Sequence, residues 1–304
     1  MRPVLILGET RTCMLQNSRA LDRASVTELL NLVEGERVRV ADRPVPRAVS
    51  PTRFTGVDCP LPTASQARCR GVGTVSARAV VTGGGVLQGS AYARVEAGPV
   101  KHRLPWSHYL GRPGVVQAIG RFTAADVATG FLADGRPGAS IDLGAVSERL
   151  IDSVQRAPQL NHRPPLRARR TRLRWAAEAG DGPDCRFVLV DDTIRTVRLT
   201  VPAESAADLA GFCESLALHD WALTTLLTLV DRSDPGAATA FTRLRPAIVH
   251  LLHLWMPDAH VAAALLPLWD QLERHGGFSK QWRATRDRIR DLLALHTLGE
   301  MRNS

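Results

Sequence analysis

The strongest constraint on the fold is a pair of apolar segments joined by three consecutive glycines. Residues 74–81 and 86–95 are rich in valine and alanine, and Gly83, Gly84 and Gly85 lie between them. Glycine adopts the positive φ angles that a tight turn between antiparallel strands requires. The pattern therefore predicts a β-hairpin. Most other segments of the first hundred residues also favour strands.

Strand patterns also occupy residues 4–15 and 36–40, and five prolines between residues 43 and 62 exclude a helix or a central strand there. Ser25 and Glu28 have the spacing of a capping box, which predicts a short helix ending at Gly35. Two further helices are predicted, one opening at Thr123 and one over about residues 142–156.

The second half of the chain begins with three alternating segments, residues 169–177, 186–191 and 194–201. They predict a three-stranded antiparallel meander. Helical periodicity then continues to the end of the chain, with breaks near residues 234 and 276. We therefore predict an α+β fold with two domains. Residues 1–158 form a β-rich α+β domain, and residues 159–304 form a small antiparallel sheet with a C-terminal helical bundle.

The chain has a formal net charge of +9, which suggests an acidic partner such as a nucleic acid. Only Lys101 and Lys280 are lysines among 39 basic residues. Arginine-rich, lysine-poor usage is typical of a GC-rich coding sequence, so it explains much of this charge. The excess is also local, because residues 101–200 hold 16 basic and 10 acidic side chains, whereas residues 201–304 hold 10 and 12.

An arginine-rich segment gives the clearest candidate binding site. No acidic residue lies between Asp152 and Glu178, and a strand over residues 170–175 would place Arg170, Arg172 and Arg174 on one face. Arg186 and Arg198 in neighbouring strands would extend this face. Guanidinium groups in a row bind phosphates or carboxylates. The predicted partner- or phosphate-binding residues are Arg167, Arg169, Arg170, Arg172 and Arg174. The alternative is a solvated face that the protein's own acidic residues neutralise, for example those of the C-terminal helices.

The cysteines offer one catalytic hypothesis. The five cysteines include no CxxC pair, which argues against a disulfide framework and a structural zinc site. Cys59 lies between Asp58 and Pro60, where it is a candidate nucleophile with His102 or His108 as the base. The alternative is a buried, inert cysteine, since free cysteine usually behaves as a small apolar residue.

One histidine cluster resembles a metal site. His250, His253 and His260 lie close together in the sequence, but the first two have i,i+3 spacing rather than the i,i+4 spacing of helical metal pairs. The alternative is that they pack between helices.

Several standard motifs are missing from the sequence. It contains no GxxxxGK[ST] loop, no GxSxG elbow, no HExxH and no EF-hand pattern. Residues 71–76 begin like a dinucleotide fingerprint but lead into a strand instead of a helix. No cofactor is predicted. The N-terminal apolar run is too short for a signal peptide, and no run reaches the length of a membrane span, so a cytoplasmic location is expected.

Seven segments of the sequence have a recognisable pattern: residues 7–13, 55–62, 71–95, 104–110, 167–176, 218–221 and 250–256. Together they resemble a family of uncharacterised actinobacterial proteins. The family has no assigned activity, so no functional residue transfers from it. The resemblance implies a component of a multi-protein system encoded beside a variant P-loop protein and a methyltransferase-like protein.

These observations favour a non-catalytic interaction or adaptor subunit whose arginines meet an acidic protein partner, with the P-loop protein as a candidate. Nucleic-acid or nucleotide-phosphate binding by the same arginines is the first alternative. A cysteine-dependent enzyme is the second.

Overall fold

The computed structural model describes residues 5–99, 102–133, 140–180, 182–231 and 239–303. The strands of this part are β1 (Leu5–Met14), β2 (Arg39–Ala41), β3 (Arg47–Val49), β4 (Arg53–Pro60), β5 (Cys69–Thr82), β6 (Val86–Ala97), β7 (Val115–Gly120), β8 (Thr171–Ala179), β9 (Asp184–Leu189) and β10 (Ile194–Val201). Its helices are α1 (Arg23–Leu29), α2 (Trp106–Leu110), α3 (Ala124–Leu132), α4 (Leu143–Gln155), α5 (Leu209–Asp231), α6 (Thr239–Leu251), α7 (Leu266–Gly276) and α8 (Phe278–Asn303). The predicted α+β class is confirmed.

All of these strands belong to one mixed sheet with the order β2-β3-β5-β7-β6-β1-β8-β10-β9, and β4 pairs with β5 beside it. β1 lies near the middle, antiparallel to both β6 and β8. The predicted boundary at residue 158 therefore falls within a continuous sheet, because β1 precedes it and β8 follows it.

The predicted hairpin is confirmed as β5 and β6, whose last register pair before the turn is Thr82 with Val86. Gly83 and Gly84 have φ angles of +59° and +64°. Gly84 also leaves no room for a side chain, because a Cβ there would overlap the backbone oxygen of Leu21.

The predicted three-stranded meander is wrong in its order. The three strands exist, but β10 is parallel to β8 and separates it from β9. Alternating residues define the two faces of a strand and not its neighbours. Here β8 pairs with β1 on its other side, with Leu5 in register with Glu178 and Thr12 in register with Thr171. The prediction of a separate small antiparallel sheet is therefore also wrong, because these three strands belong to the one mixed sheet.

Helices cover both faces of the sheet. One face, called the α4 face here, is covered by α1, α3 and α4. The other, called the α5 face, is covered by α5, α6, α7 and α8. The side chains of β1 alternate as a strand requires, so that Leu5 and Leu7 enter the core on the α4 face and Ile6 enters the core on the α5 face. Gly8 lies against the indole of Trp175, where a Cβ would overlap the ring.

Most helix ends follow their local sequence, but the prediction for α1 is wrong at both ends, and this helix ends at Leu29 instead of Gly35. Asp142 and Thr123 cap α4 and α3 through their side chains, and Gly277 ends α7 with a φ angle of +61°. The cap of α1 is Asp22 rather than Ser25, whose backbone N–H donates to the Asp22 carboxylate instead. Within the described residues, no helix is long and apolar enough to cross a membrane.

A buried carboxylate fixes α5 to the sheet. Glu214 is fully buried and accepts hydrogen bonds from Arg47 at 2.7 Å and from both Nε and Nη2 of Arg78, at 2.7 and 2.9 Å. Gln88 donates to the backbone oxygen of Glu214 at 2.8 Å. Among the described residues, Glu214 is the only charged side chain that α5 places against β3, β5 and β6. Its pairing with the two arginines avoids the cost of an unpaired buried ion.

Candidate functional site

The predicted arginine face exists, but it does not point freely into solvent. Arg172 and Arg174 lie on the α4 face of β8, opposite β1. Their Nε atoms lie 3.1 and 3.8 Å from the carboxylate oxygens of Glu9, which is fully buried. Arg174 is also buried and donates to the backbone oxygen of Ala133 at 3.1 Å.

Glu9 is the centre of this polar cluster. Arg11 of the same strand places its Nε 3.3 Å from the Glu9 carboxylate. The first turn of α4 reaches the same carboxylate, since a Cβ at Gly144 would overlap it. A helix N-terminus stabilises negative charge, so α4 adds to the stabilisation of Glu9 by the arginines.

Arg170 completes the cluster through α4. It forms ion pairs with Glu148 and with Asp152, the latter at 3.6 Å. Binding of a partner or phosphate by these arginines requires guanidinium groups without internal counter-ions, and this expectation is wrong for Arg170, Arg172 and Arg174. Their counter-ions come from β1 and α4, not from the C-terminal helices. Glu9 was not predicted, because one acidic residue in an apolar strand looks like ordinary alternation.

Arg167 and Arg169 precede β8 and line a cavity of about 280 Å³ at that end of the α5 face. Its floor includes Thr171, Leu189 and Arg195, and its roof is a threonine-rich segment of α5. Arg169 forms an exposed ion pair with Asp192 at 3.2 Å, and Arg167 forms none with the residues that the structure describes.

The charges of this cavity are balanced. Buried Arg195 donates to Asp220 at 2.7 Å, to the Asp191 backbone oxygen at 2.7 Å and to Thr224 at 3.0 Å. Hydrogen bonds from the backbone of Thr193 and Ile194 lower the pKa of Asp191, which keeps its carboxylate charged. Since Asp191, Asp192 and Asp220 oppose the three arginines, the cavity has no excess positive charge for a phosphate.

The proposed catalytic pair is separated by the sheet. Cys59 of β4 pairs with Gly71 of β5, whereas Gln117 of β7 pairs with Val72, the next residue of β5. Neighbouring residues of a strand face opposite sides, so Cys59 and Gln117 lie on opposite faces. His108 contacts Gln117, with its Nε2 3.2 Å from the amide oxygen, and therefore lies away from Cys59.

The cysteine is also poorly suited to attack. Burial raises the pKa of the Cys59 thiol, and Asp58 raises it further, whereas a nucleophilic cysteine requires a lowered pKa. His102 is exposed, and no hydrogen bond joins it to Cys59 in the described part of the chain. The structure does not bring the three candidate catalytic residues together.

The candidate metal ligands do not assemble into a metal site within the described residues, although burial lowers the pKa of His250 and the nearby His253 lowers it further. No group of three His, Cys, Asp or Glu residues suited to a metal ion occurs among the described residues. His260 lies 3.3 Å from the backbone oxygen of Val45, and His253 lies beside Gly83 of the hairpin turn. Partial burial lowers the pKa of both imidazoles, as is typical of histidines packed between elements.

The feature that sequence reasoning missed is the outer edge of β9. This strand ends the sheet next to β10, and three consecutive apolar residues there, Val188, Leu189 and Val190, are 41%, 62% and 36% exposed. An open strand edge presents unpaired backbone N–H and C=O groups. The sequence predicted a strand at residues 186–191, but only the strand order reveals that it is an edge.

A second exposed apolar surface lies around α2. Trp106 packs over Gly56 of β4, Phe54 is the next residue on the same face of that strand, and Leu110 is 64% exposed. Arg103 stacks on the Trp106 ring and pairs with Asp58. The backbone at Leu110 belongs to helix α2, so this second surface offers exposed side chains but no open strand edge.

Comparisons with protein-family models, curated proteins and solved structures found no match to this chain.

Proposed function

We propose that this protein is a non-catalytic interaction subunit of a multi-protein system, and that it binds an extended segment of a partner protein along the outer edge of β9. One observation carries the proposal: Val188 and Leu189 of β9, and Val190 directly after it, are exposed together, and β9 has no outer neighbour in the described part of the sheet. Proteins normally protect such an edge with charges, prolines or a covering element.

The physical basis is strand addition. A peptide that pairs with β9 gains backbone hydrogen bonds of about 0.5–1.5 kcal/mol net each and also covers apolar side chains. The cavity beside Leu189 gives space under this edge for a side chain of the added segment. Backbone bonds supply affinity in this mode, and side-chain pockets supply specificity.

The competing functions lack comparable support. Phosphate binding by the arginine face would have to displace Glu9, Glu148 and Asp152 from Arg170, Arg172 and Arg174. Cysteine catalysis would have to move His108 across the sheet toward Cys59. The edge of β9 requires neither change.

A random peptide library displayed on phage tests the proposal, followed by fluorescence anisotropy with the selected peptides. We expect peptides of extended, apolar character, and we expect Leu189→Asp to weaken their binding at least about tenfold, because it places a charge at the contact. Leu110→Asp is the matched control, since Leu110 is as exposed as Leu189 but lies on α2.

Two results would reject the proposal. One is a library that yields no peptide bound by the folded protein. The other is equal loss of binding in the Leu189 and Leu110 variants, which would indicate general apolar adhesion. Size-exclusion chromatography with light scattering identifies the competing occupant, a second copy of the chain, because Leu189→Asp would then convert a dimer to a monomer.

A further inference from the structure

The β9 edge is closed at one end by a side chain. The backbone N–H of Cys185 donates to Oε1 of Gln271 at 2.9 Å, and Nε2 of Gln271 donates to the backbone oxygen of Pro183 at 2.7 Å. Gln271 belongs to α7, and its amide occupies the place of a peptide group in a neighbouring strand. A partner strand therefore cannot form backbone hydrogen bonds with residues before Phe187 on this edge without displacing Gln271.

The other end of the edge is closed by the turn that follows. The N–H groups of Val190 and Asp191 both donate to the backbone oxygen of Ile194, at 3.0 and 3.3 Å. Because Cys185 directs its N–H outward and backbone direction alternates along a strand, Phe187 and Leu189 also direct their N–H and C=O groups outward. Phe187 and Leu189 are therefore the residues of this edge whose backbone groups are open to a partner strand.

So short an edge favours an antiparallel partner. In antiparallel pairing, the residues opposite Phe187 and Leu189 each exchange two hydrogen bonds with them, so a span of three partner residues supplies all the bonds. A parallel partner would distribute the same bonds over a span of five residues. Ordering fewer residues costs less conformational entropy.

One arginine near the edge has no charged partner among the described residues. Arg186 is in register with Arg198 on the α4 face, and Arg198 is paired with Glu178 at 2.6 Å. Arg186 itself is exposed and forms no ion pair or hydrogen bond with residues that the structure describes. Val188 and Val190 continue the same face toward the turn.

We infer that the β9 edge selects a partner segment with an apolar-x-apolar-x-acidic pattern, read from N- to C-terminus, bound antiparallel with its acidic residue opposite Arg186. This inference rests on the proposed function and specifies its ligand. The apolar residues lie opposite Val190 and Val188. The pairs on this face lack direct backbone bonds, so their Cα atoms approach to about 4.5 Å and their side chains contact closely.

The probe is the peptide Ac-Val-Thr-Val-Thr-Glu-amide, and its sequence-reversed isomer is the control for direction. Binding is measured by chemical-shift titration of ¹⁵N-labelled protein. We expect the forward peptide to bind at least about fivefold more tightly than the reversed one, because only the forward order matches the antiparallel charge and apolar positions. The largest shifts are expected at Phe187 and Leu189.

A charge exchange tests the contact with Arg186. Replacing the peptide glutamate by lysine is expected to weaken binding to the natural protein about fivefold, and the Arg186→Glu variant is expected to reverse this preference. Arg163→Glu is the matched control, since it makes the same charge change at an exposed arginine outside the edge.

The outcomes separate this inference from the function on which it rests. If library-selected peptides bind through Leu189 but show no acidic position and no response to Arg186→Glu, the inference is overturned and the interaction function stands. If equal affinities are found for the two peptide directions, the inference also fails. If neither the probe nor any library peptide binds, both are rejected.

Discussion

Acidification is expected to destabilise this protein through one histidine. His219 is fully buried in α5, with Trp255 and Trp269 at ring-centroid distances of 5.1 and 5.6 Å. Its Nδ1 lies 2.7 Å from the backbone oxygen of Ser215, and its Nε2 accepts the backbone N–H of Met256 at 3.3 Å. The first contact places a proton on Nδ1, and burial of the ring favours the neutral imidazole.

The size of the effect follows from the pKa. Burial lowers the pKa of His219 from 6.5 to about 4. Because the folded-state pKa lies below the unfolded-state value, the unfolded chain binds the proton more readily, and stability falls as the pH decreases from about 6.5 toward about 4. Linkage gives a loss of about 2 kcal/mol between pH 7 and pH 5 from this residue.

Urea unfolding followed by tryptophan fluorescence measures this loss, with His219→Asn as the reference. Asparagine keeps a donor for the Ser215 oxygen but cannot titrate, so the difference between the two proteins removes the contribution of all other groups. We expect the natural protein to be more stable at pH 7 and its advantage to shrink by about 2 kcal/mol at pH 5.

A difference in stability that stays constant between pH 7 and pH 5 would refute the reasoning. It would mean that His219 has the same pKa in the folded and unfolded states. Long-range ¹H–¹⁵N correlation spectra give an independent measurement, since the Nδ1-protonated tautomer should persist to about pH 5.

Other perturbations test the polar cluster, the hairpin and the cysteine. Glu9→Gln should cost about 3–5 kcal/mol in urea unfolding because it leaves buried arginines without their central carboxylate, and Glu148→Gln, at a more exposed pair, should cost about 1 kcal/mol or less; equal costs would contradict the central role of Glu9. Gly84→Ala should lower stability by at least about 1 kcal/mol, since its φ is positive and a backbone oxygen fills the space, whereas Gly85→Ala should be tolerated, and thermal unfolding compares them. Cys59 should react with iodoacetamide more slowly than free cysteine at pH 8, because burial raises the pKa of its thiol; a faster reaction would oppose the assignment of an inert thiol.

Local structure was largely predictable from the sequence. The glycines at residues 83–85 predicted the β5–β6 turn because positive φ angles are required there, and Asp142 marked the start of α4 through its capping side chain. These signals act between residues close in the sequence. Physical constraints of this kind do not depend on how distant strands assemble.

The neighbours of each strand were not predictable in the same way. Period two placed Arg170, Arg172 and Arg174 on one face, but nothing in their segment indicated that Glu9 would lie opposite. The edge position of β9 depends on β10 inserting beside β8, which alternation leaves undetermined. The candidate binding site followed from strand order, so it emerged only from the structure.

The central place of β1 has a consequence for biosynthesis. On the ribosome, β1 can pair with β6 once residues 86–97 have emerged, but its other edge stays uncovered until residues 171–179 follow. At about 5–20 residues per second this interval lasts several seconds. A nascent chain with an exposed strand edge for that time is a substrate for chaperones, and slower translation between β6 and β8 should increase its aggregation.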